Sequence, residues 1–285
     1  MSIVVGSDGA RVDPASGLAY SSDGTGPAVV LLHGLAGFRQ LWRDQVPHLT
    51  RSGLRAISVD LPGHGDSPDP TGALSIQGMA DAVSRLFDSL GVSQAAIVGH
   101  SMGGRTMFNF AVDRPDRVWA IVPVGAQSEA ASGEYRTVLA DLKARTISGG
   151  LPAFRDAFME AGEIPARTQT DPAYARWYWQ YFEKNRPSSL VKGLDAIFAM
   201  RRLTGELGKV NAPALCLVGS EDEPFLPLAR RYEALMPNCR TVVVDGCRHY
   251  PMTDAEPVFS RMLTEFLVAN KPREPARPGR EAKSG

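Results

Sequence analysis

Ser101 is the residue whose surroundings point most directly to chemistry. It lies in Gly99-His100-Ser101-Met102-Gly103, which follows the apolar run Ala95–Val98 and precedes a helical pattern over Met102 to Ala111. A G-x-S-x-G sequence between a strand and a helix predicts a sharp turn that projects the serine hydroxyl out of the sheet. Glycines are needed on both sides because a Cβ would clash in so tight a turn. Ser101 is therefore the candidate nucleophile.

A serine hydroxyl is a weak nucleophile at neutral pH and needs a base within hydrogen-bond reach. Four of the five histidines have other predicted places. His33 lies in a turn after a strand and His48 in a predicted surface helix. His64 lies in a Pro-Gly-His-Gly loop, and His100 is next to the candidate nucleophile. His249 remains, in a loop between the last strand and the last helix, from which it can reach over the sheet edge. The alternative interpretation of His249 is an ordinary surface-loop histidine.

The candidate base in turn needs a carboxylate that holds its tautomer and stabilises the imidazolium. Residues 218–224, Val-Gly-Ser-Glu-Asp-Glu-Pro, follow a predicted strand and are rich in acids. We select Asp222, and we interpret Glu221 and Glu223 as solvated loop charges. The resulting chain order, Ser then Asp then His, is the order expected when the nucleophile occupies a strand–turn–helix elbow.

Attack on a carbonyl also requires donors for the developing oxyanion, and two backbone N–H groups commonly supply them. His33-Gly34-Leu35 follows an apolar strand, so its turn can present the Leu35 N–H. The Met102 N–H, directly after the nucleophile, is the second candidate donor.

Six short apolar runs predict the strands that position these residues. They are Ala28–Leu32, Ala56–Val59, Ala95–Val98, Val118–Val124, Ala214–Val218 and Thr241–Val244. Because the runs are apolar on both faces, they predict an α/β fold with a mostly parallel central sheet and helices on both faces. Apolar residues at helical spacing over Met79 to Leu90 and Val258 to Leu267 predict two of those helices.

The alternation of strand and helix is interrupted at residues 127–208, which carry the aromatic run Trp177-Tyr178-Trp179-Gln180-Tyr181-Phe182. We interpret this segment as a helical cap inserted into an α/β core of residues 1–126 and 209–270; a pair of ordinary packing helices is the alternative. Trp177, Tyr178 and Tyr181 are candidate substrate-binding residues, because so many aromatic rings cannot all face solvent at low cost. Residues 271–285, rich in Pro, Arg and Lys, predict a disordered tail.

Composition excludes several classes of function. The chain has 31 basic and 31 acidic residues, so no positive excess indicates a nucleic-acid partner. No apolar stretch is long enough for a membrane span, and the first eight residues lack the features of a signal peptide. Three cysteines without metal-like spacing favour a reducing cytoplasm. No metal or organic cofactor is predicted, and the expected partner is a small-molecule substrate.

Taken together, these residues resemble the α/β-hydrolase superfamily, specifically its serine esterases, lactonases and C–C hydrolases with a helical cap. The resemblance covers roughly residues 17 to 268. Its motifs stand in the family's order: residues 26–34 (Gly-Pro through His-Gly), 60–67 (Asp-Leu-Pro-Gly-His-Gly-Asp-Ser), 99–104 around the serine, 219–222 and 248–252. One departure is Cys247-Arg248 before His249, where a small residue is usual. Ser101 stands where epoxide hydrolases and haloalkane dehalogenases of this fold have Asp, so the resemblance excludes those relatives.

The resemblance implies hydrolysis of a carboxylic ester or lactone through an acyl-enzyme on Ser101. An alternative is a C–C hydrolase, or a lyase like the SHCHC synthases of menaquinone biosynthesis, in which Arg105 would bind a substrate carboxylate. Arg105 has its own alternative interpretation as a surface or cap-facing salt-bridge residue. A third possibility is a non-catalytic receptor that keeps the hydrolase fold.

Overall fold

The apolar runs form the parallel part of a single sheet in the computed structural model, which describes residues 10–272. Its strands are β1 Arg11–Val12, β2 Ala19–Asp23, β3 Ala28–Leu32, β4 Arg55–Asp60, β5 Ala95–His100, β6 Val118–Val124, β7 Ala214–Gly219 and β8 Cys239–Val244. Their order across the sheet is β1-β2-β4-β3-β5-β6-β7-β8. Strands β3 to β8 pair in parallel, and β3, β5 and β6 are buried along their whole length. The predicted α/β fold with a mostly parallel sheet is confirmed.

Helices connect the parallel strands and cover the sheet. They are α1 Gln45–Arg51, α2 Ile76–Ser89, α3 Met102–Asp113, α4 Gly133–Glu160, α5 Arg167–Thr170, α6 Pro172–Phe182, α7 Pro187–Phe198, α8 Leu226–Leu235, α9 Pro251–Asp254 and α10 Glu256–Asn270. Short 3-10 helices lie at Arg39–Trp42, Pro115–Arg117 and Thr204–Lys209. Within the described residues, no helix is long and apolar enough to cross a membrane.

Strands β1 and β2 are absent from the sequence-based prediction. Both pair antiparallel: β1 with β2, and β2 with β4. The second half of β2, Ser21-Ser22-Asp23, is polar and partly exposed, so it offers no apolar run to identify it. Its strand conformation comes from pairing with β4 rather than from local sequence preference.

Four helical elements, α4 to α7, lie between β6 and β7, and we call them the inserted helices. The first, α4, is kinked at Gly150, where the backbone is non-helical. They reach the loops that follow β3 and β4: Asn185 donates to the carbonyl of Ala36 at 2.8 Å, and Arg186 donates to the carbonyl of Ser67 at 2.7 Å. Because both loops lie at the carboxyl ends of their strands, the inserted helices lie over that edge of the sheet. The division of the chain at 127 and 208 into core and cap stays a prediction.

The last predicted segment falls almost wholly outside the structure. Of the predicted disordered tail, residues 271–285, only Lys271 and Pro272 are described, directly after α10. Residues 273–285, like residues 1–9, lie outside the described part of the chain.

The close approach of α3 to β5 can be tested by a substitution at Gly99. A Cβ on Gly99 would lie 2.6 Å from both the carbonyl oxygen of Gly103 and the Cα of Gly104, and backbone atoms cannot move aside as a side chain can. We expect Gly99→Ala to lower the free energy of unfolding by about 2 kcal/mol or more, measured by urea denaturation followed by circular dichroism. Gly72→Ala is the matched control, because a Cβ there meets no atom within 4 Å. Equal effects of the two substitutions would contradict this packing.

Candidate active site

Ser101 occupies a strained turn between the end of β5 and the start of α3. Its backbone has φ 50° and ψ −113°, in a region that residues other than glycine rarely adopt. The turn is held because the Ser101 N–H donates to the carbonyl of Val124 at 2.9 Å. On the other side, a Cβ on Gly103 would lie 2.5 Å from the Leu32 carbonyl oxygen, so α3 begins in contact with the end of β3. Ser101 itself keeps a partly exposed surface.

His249 and Asp222 meet beside this turn. Asp222 follows β7 and His249 follows β8, and these neighbouring parallel strands deliver both residues to the same sheet edge. The Nδ1 of His249 lies 2.9 Å from Oδ2 of Asp222, and both residues are 4% exposed. This hydrogen bond leaves Nε2 on the opposite side of the ring, where it has no hydrogen-bond partner among the described residues. A buried imidazole with one nitrogen on a carboxylate and the other open is suited to proton transfer.

His100 joins the serine turn to the His249 loop. Its Nε2 donates to the backbone oxygen of His249 at 2.9 Å, and the two rings lie 4.6 Å apart between centroids. Burial holds the pKa of His100 well below its ordinary value, so the ring stays neutral. His100 therefore packs against the candidate base and fixes where the His249 loop lies relative to Ser101.

The other histidines have structural contacts. His33 is buried and its Nε2 accepts the N–H of Leu61 at 3.0 Å, while burial lowers its pKa to about 4. Burial likewise lowers the pKa of His64 to about 3. His48 lies in α1, 3.5 Å from a carboxylate oxygen of Glu256. Of the five histidines, His249 has the geometry expected of a base.

A second carboxylate, not anticipated from the sequence, faces His249. Oε2 of Glu163 lies 3.6 Å from Nε2 of His249, and the Glu163 side chain is 13% exposed. Burial by itself lowers the pKa of His249, but the negative charges of Asp222 and Glu163 outweigh burial and raise that pKa to about 9. Burial raises the pKa of Glu163, an effect that the nearby His249 and Arg248 partly offset. Glu163 lies between α4 and α5, in a sequence with no recognisable motif.

The two predicted oxyanion donors lie on adjoining turns. Met102 is the first residue of α3, so its N–H has no partner within the helix. Leu35 lies in the turn after β3, and Gly34 beside it is so close to Ser101 that a Cβ on Gly34 would lie 3.0 Å from the Ser101 Cβ. Backbone donors at both positions are thus adjacent to the serine.

Arg105 lies inside the protein. It is 2% exposed, and its guanidinium donates to the backbone oxygen of Glu129 and to Oε1 of Gln127, with the sulfur of Met200 at 3.7 Å. Of the alternative interpretation as a surface or cap-facing salt-bridge residue, the surface position is wrong because the side chain is buried. The guanidinium does face the predicted cap segment 127–208, where its hydrogen-bond acceptors are neutral. The role of Arg105 in binding a substrate carboxylate stays a prediction.

The three aromatic candidates pack around Phe38, which follows β3. The ring centroids of Trp177, Tyr178 and Tyr181 lie 5.6, 5.7 and 5.2 Å from that of Phe38. Tyr178 is buried, and the other two are half-buried. These rings fasten α6 to the core, and they lie outside the cleft that opens at His249.

That cleft, which we call the acidic cleft, has a volume of about 960 Å³ and is bordered by Asp222, His249, Glu163 and Arg248. Its remaining lining residues are Gln127, Ser132, Glu134, Tyr135, Val138, Ala161, Gly162, Ser220, Glu221, Glu223, Pro224, Pro227 and Leu228. Ser101 is not among its lining residues, so the cleft approaches the candidate site from the His249 side. Within residues 10–272, no group of three His, Cys, Asp or Glu side chains is arranged to hold a metal ion.

A family model described as the alpha/beta hydrolase fold matches residues 27–256. The chain belongs to this family. It is 35% identical to the sn-1-specific diacylglycerol lipase ABHD11 of Mus musculus over 273 residues, which cover 90% of this chain and 85% of the relative. It is 26% identical to the 2-hydroxy-6-oxo-6-phenylhexa-2,4-dienoate hydrolase of Comamonas testosteroni over 261 residues, with 87% and 90% covered.

Among solved structures, the enol-lactonase of Burkholderia xenovorans LB400 matches with a TM-score of 0.80 at 23% identity, covering 92% of this chain and 98% of that chain. The chain also matches the bifunctional epoxide hydrolase 2 of Sus scrofa, of which it spans 54% of the length. Membership of the alpha/beta hydrolase family, together with relatives that are hydrolases, supports an enzymatic function.

The charge beside His249 can be measured directly. We expect the side chain of His249 to titrate near pH 9 in a long-range ¹H–¹⁵N NMR spectrum. Glu163→Gln removes a negative charge 3.6 Å from Nε2 and should move this midpoint to lower pH. Glu160→Gln is the matched control, because Glu160 is exposed and pairs with Arg145 on the surface. An unchanged midpoint in Glu163→Gln would contradict the electrostatic role of Glu163.

Proposed function

We propose that the protein is a serine hydrolase that cleaves a carboxylic ester or lactone through an acyl-enzyme on Ser101. The observation that carries this proposal is the hydrogen bond of the buried His249 to Asp222 through Nδ1, which leaves Nε2 without a hydrogen bond in a loop that His100 joins to the strained serine turn. Asp222 fixes the tautomer that leaves Nε2 as the proton acceptor. The lipase and lactonase among the similar proteins agree with this chemistry.

In the proposed reaction, Oγ of Ser101 attacks the substrate carbonyl while Nε2 of His249 takes its proton. The oxyanion accepts hydrogen bonds from the N–H groups of Leu35 and Met102. His249 then returns the proton to the leaving oxygen as the carbonyl re-forms, which gives the acyl-enzyme. Water, deprotonated by Nε2 of His249, then attacks the acyl carbon. As the bond between the acyl carbon and Oγ breaks, His249 gives this proton to Oγ, which releases the acid and restores Ser101.

The raised pKa of His249 sets the pH dependence of this reaction. The imidazole must be neutral to accept the serine proton. Because its pKa is about 9, His249 is mostly protonated at neutral pH in the protein without substrate. The value of kcat/KM should therefore increase as the pH rises toward that pKa.

We further propose that residues 127–208 act as a cap over the site and that the protein works in the cytoplasm. The cap is supported by hydrogen bonds from Asn185 and Arg186 to the loops after β3 and β4. A reducing compartment is supported by Cys216, Cys239 and Cys247, which are free thiols.

The nucleophile is tested by replacing Ser101. We expect Ser101→Ala to lower kcat/KM for p-nitrophenyl esters of graded chain length, or for lactones, by about four orders of magnitude or more, and to abolish labelling by a fluorophosphonate. Ser93→Ala is the control, since Ser93 is an exposed serine before β5. Retained turnover in Ser101→Ala would contradict the assignment. Failure of the unmodified protein to react with the probe would favour a non-catalytic binding protein.

Hydrolysis is favoured over the lyase alternative because the Arg105 guanidinium is buried and hydrogen-bonded to other residues of the protein. Its bonds to Glu129 and Gln127 support a structural role, so Arg105→Ala should reduce kcat/KM for neutral and carboxylate-bearing esters to the same extent. The measurement is kcat/KM of the unmodified protein and of Arg105→Ala on both classes of ester, and an equal fold-reduction on the two classes would support the structural role. A loss confined to the carboxylate-bearing substrates would instead revive the lyase or C–C hydrolase alternative.

A further inference from the structure

The position of a leaving group follows from the proposed mechanism. Nε2 of His249 must lie within about 3 Å of the leaving oxygen when it returns the proton. Oε2 of Glu163 lies 3.6 Å from the same nitrogen. The leaving oxygen therefore lies at most about 7 Å from Oε2 of Glu163, within the reach of a short leaving group that carries a charge.

Glu163 loses its cationic partner in the state that reacts. Among the described residues, no lysine or arginine nitrogen lies within 4 Å of its carboxylate, and its ion pair is with His249, which must be neutral to accept the serine proton. The guanidinium of Arg248 lies against Gly162 and contributes at longer range. Because a largely buried carboxylate is costly without a partner, a cation arriving beside Glu163 would be stabilised.

Other carboxylates line the acidic cleft together with Glu163. Its lining includes the carboxylates of Glu134, Glu163, Glu221, Asp222 and Glu223, against the single guanidinium of Arg248. His249, which is 4% exposed, borders the cleft, and its Nε2 makes no hydrogen bond to the described residues. The cleft is thus an anionic approach to a buried, unsatisfied nitrogen, and such a field attracts cations and repels anions.

We propose that the natural substrate has a cationic leaving group, such as a substituted ammonium alcohol, and that Glu163 is the residue that recognises its charge. This inference rests on the proposed acyl transfer at Ser101. The cation lies beside Glu163 in the acidic cleft while the acyl carbonyl lies at Ser101, and His249 between them passes the proton to the leaving oxygen. Glu163 determines specificity through this charge and takes part in no bond change.

The test compares two phosphonate probes that share one phosphonyl group and differ in the leaving alcohol. One carries choline and the other 3,3-dimethylbutanol, its neutral isostere. Both modify Ser101 by expelling the alcohol, so their labelling rates report on the leaving-group side alone. A matched pair of butyrate esters of the same two alcohols extends the comparison to turnover.

We expect the full-length protein to react about tenfold faster with the choline probe at low ionic strength, with the preference decreasing as salt is added. Glu163→Gln should bring the two rates to near equality, mainly by slowing the choline probe. Glu160→Gln, the same substitution on an exposed carboxylate outside the cleft, should preserve the tenfold preference.

Equal labelling rates in the unmodified protein would overturn the proposal, and that result does not depend on how any variant folds. A preference that survives in a folded Glu163→Gln variant would also overturn it, because Glu163 would not be its source. Absence of labelling at Ser101 by any phosphonate would instead refute the proposed serine hydrolase, and this inference would fall with it.

Discussion

The close approach of α3 to β5 and β3 is the constraint on which the candidate site depends. Gly99 and Gly103 have no room for a Cβ, because backbone atoms of the facing segments lie where that carbon would be. Only this contact lets the chain reverse within one residue, and that residue is Ser101, at φ 50°. The strain places the hydroxyl at the carboxyl edge of the sheet and aligns the start of α3 with it, so the candidate nucleophile and a candidate backbone donor are positioned together.

The parallel sheet brings the remaining groups to the same edge. Strands β7 and β8 are neighbours in register, so the loops that follow them deliver Asp222 and His249 side by side and buried. Their hydrogen bond is strong because it is shielded from water and because one partner is charged. The same shielding allows Glu163 to act on the imidazole from the opposite side, so that one ring lies between two carboxylates.

The inserted helices contribute two different surfaces. The rings of α6 pack on Phe38 and secure the helices to the loop after β3. The segment after α4 places Glu163 against the candidate base, and Tyr135 of α4 contributes to the cleft beside it. Attachment and the proposed recognition of substrate charge thus belong to separate parts of the insertion, and the most aromatic part packs against the core.

Local sequence determined the α/β fold class, the six parallel strands and the residues at the ends of β5, β7 and β8 where chemistry is expected. It could do so because buried parallel strands require apolar runs, and a tight serine turn requires glycines at fixed spacing. Tertiary structure alone decided what has no local pattern. Polar β2 becomes a strand by pairing with β4, Arg105 is buried and hydrogen-bonded to neutral carbonyl oxygens, and Glu163 reaches His249 from 86 residues away. Burial and proximity of this kind arise only when distant segments pack together, so a local sequence pattern cannot predict them.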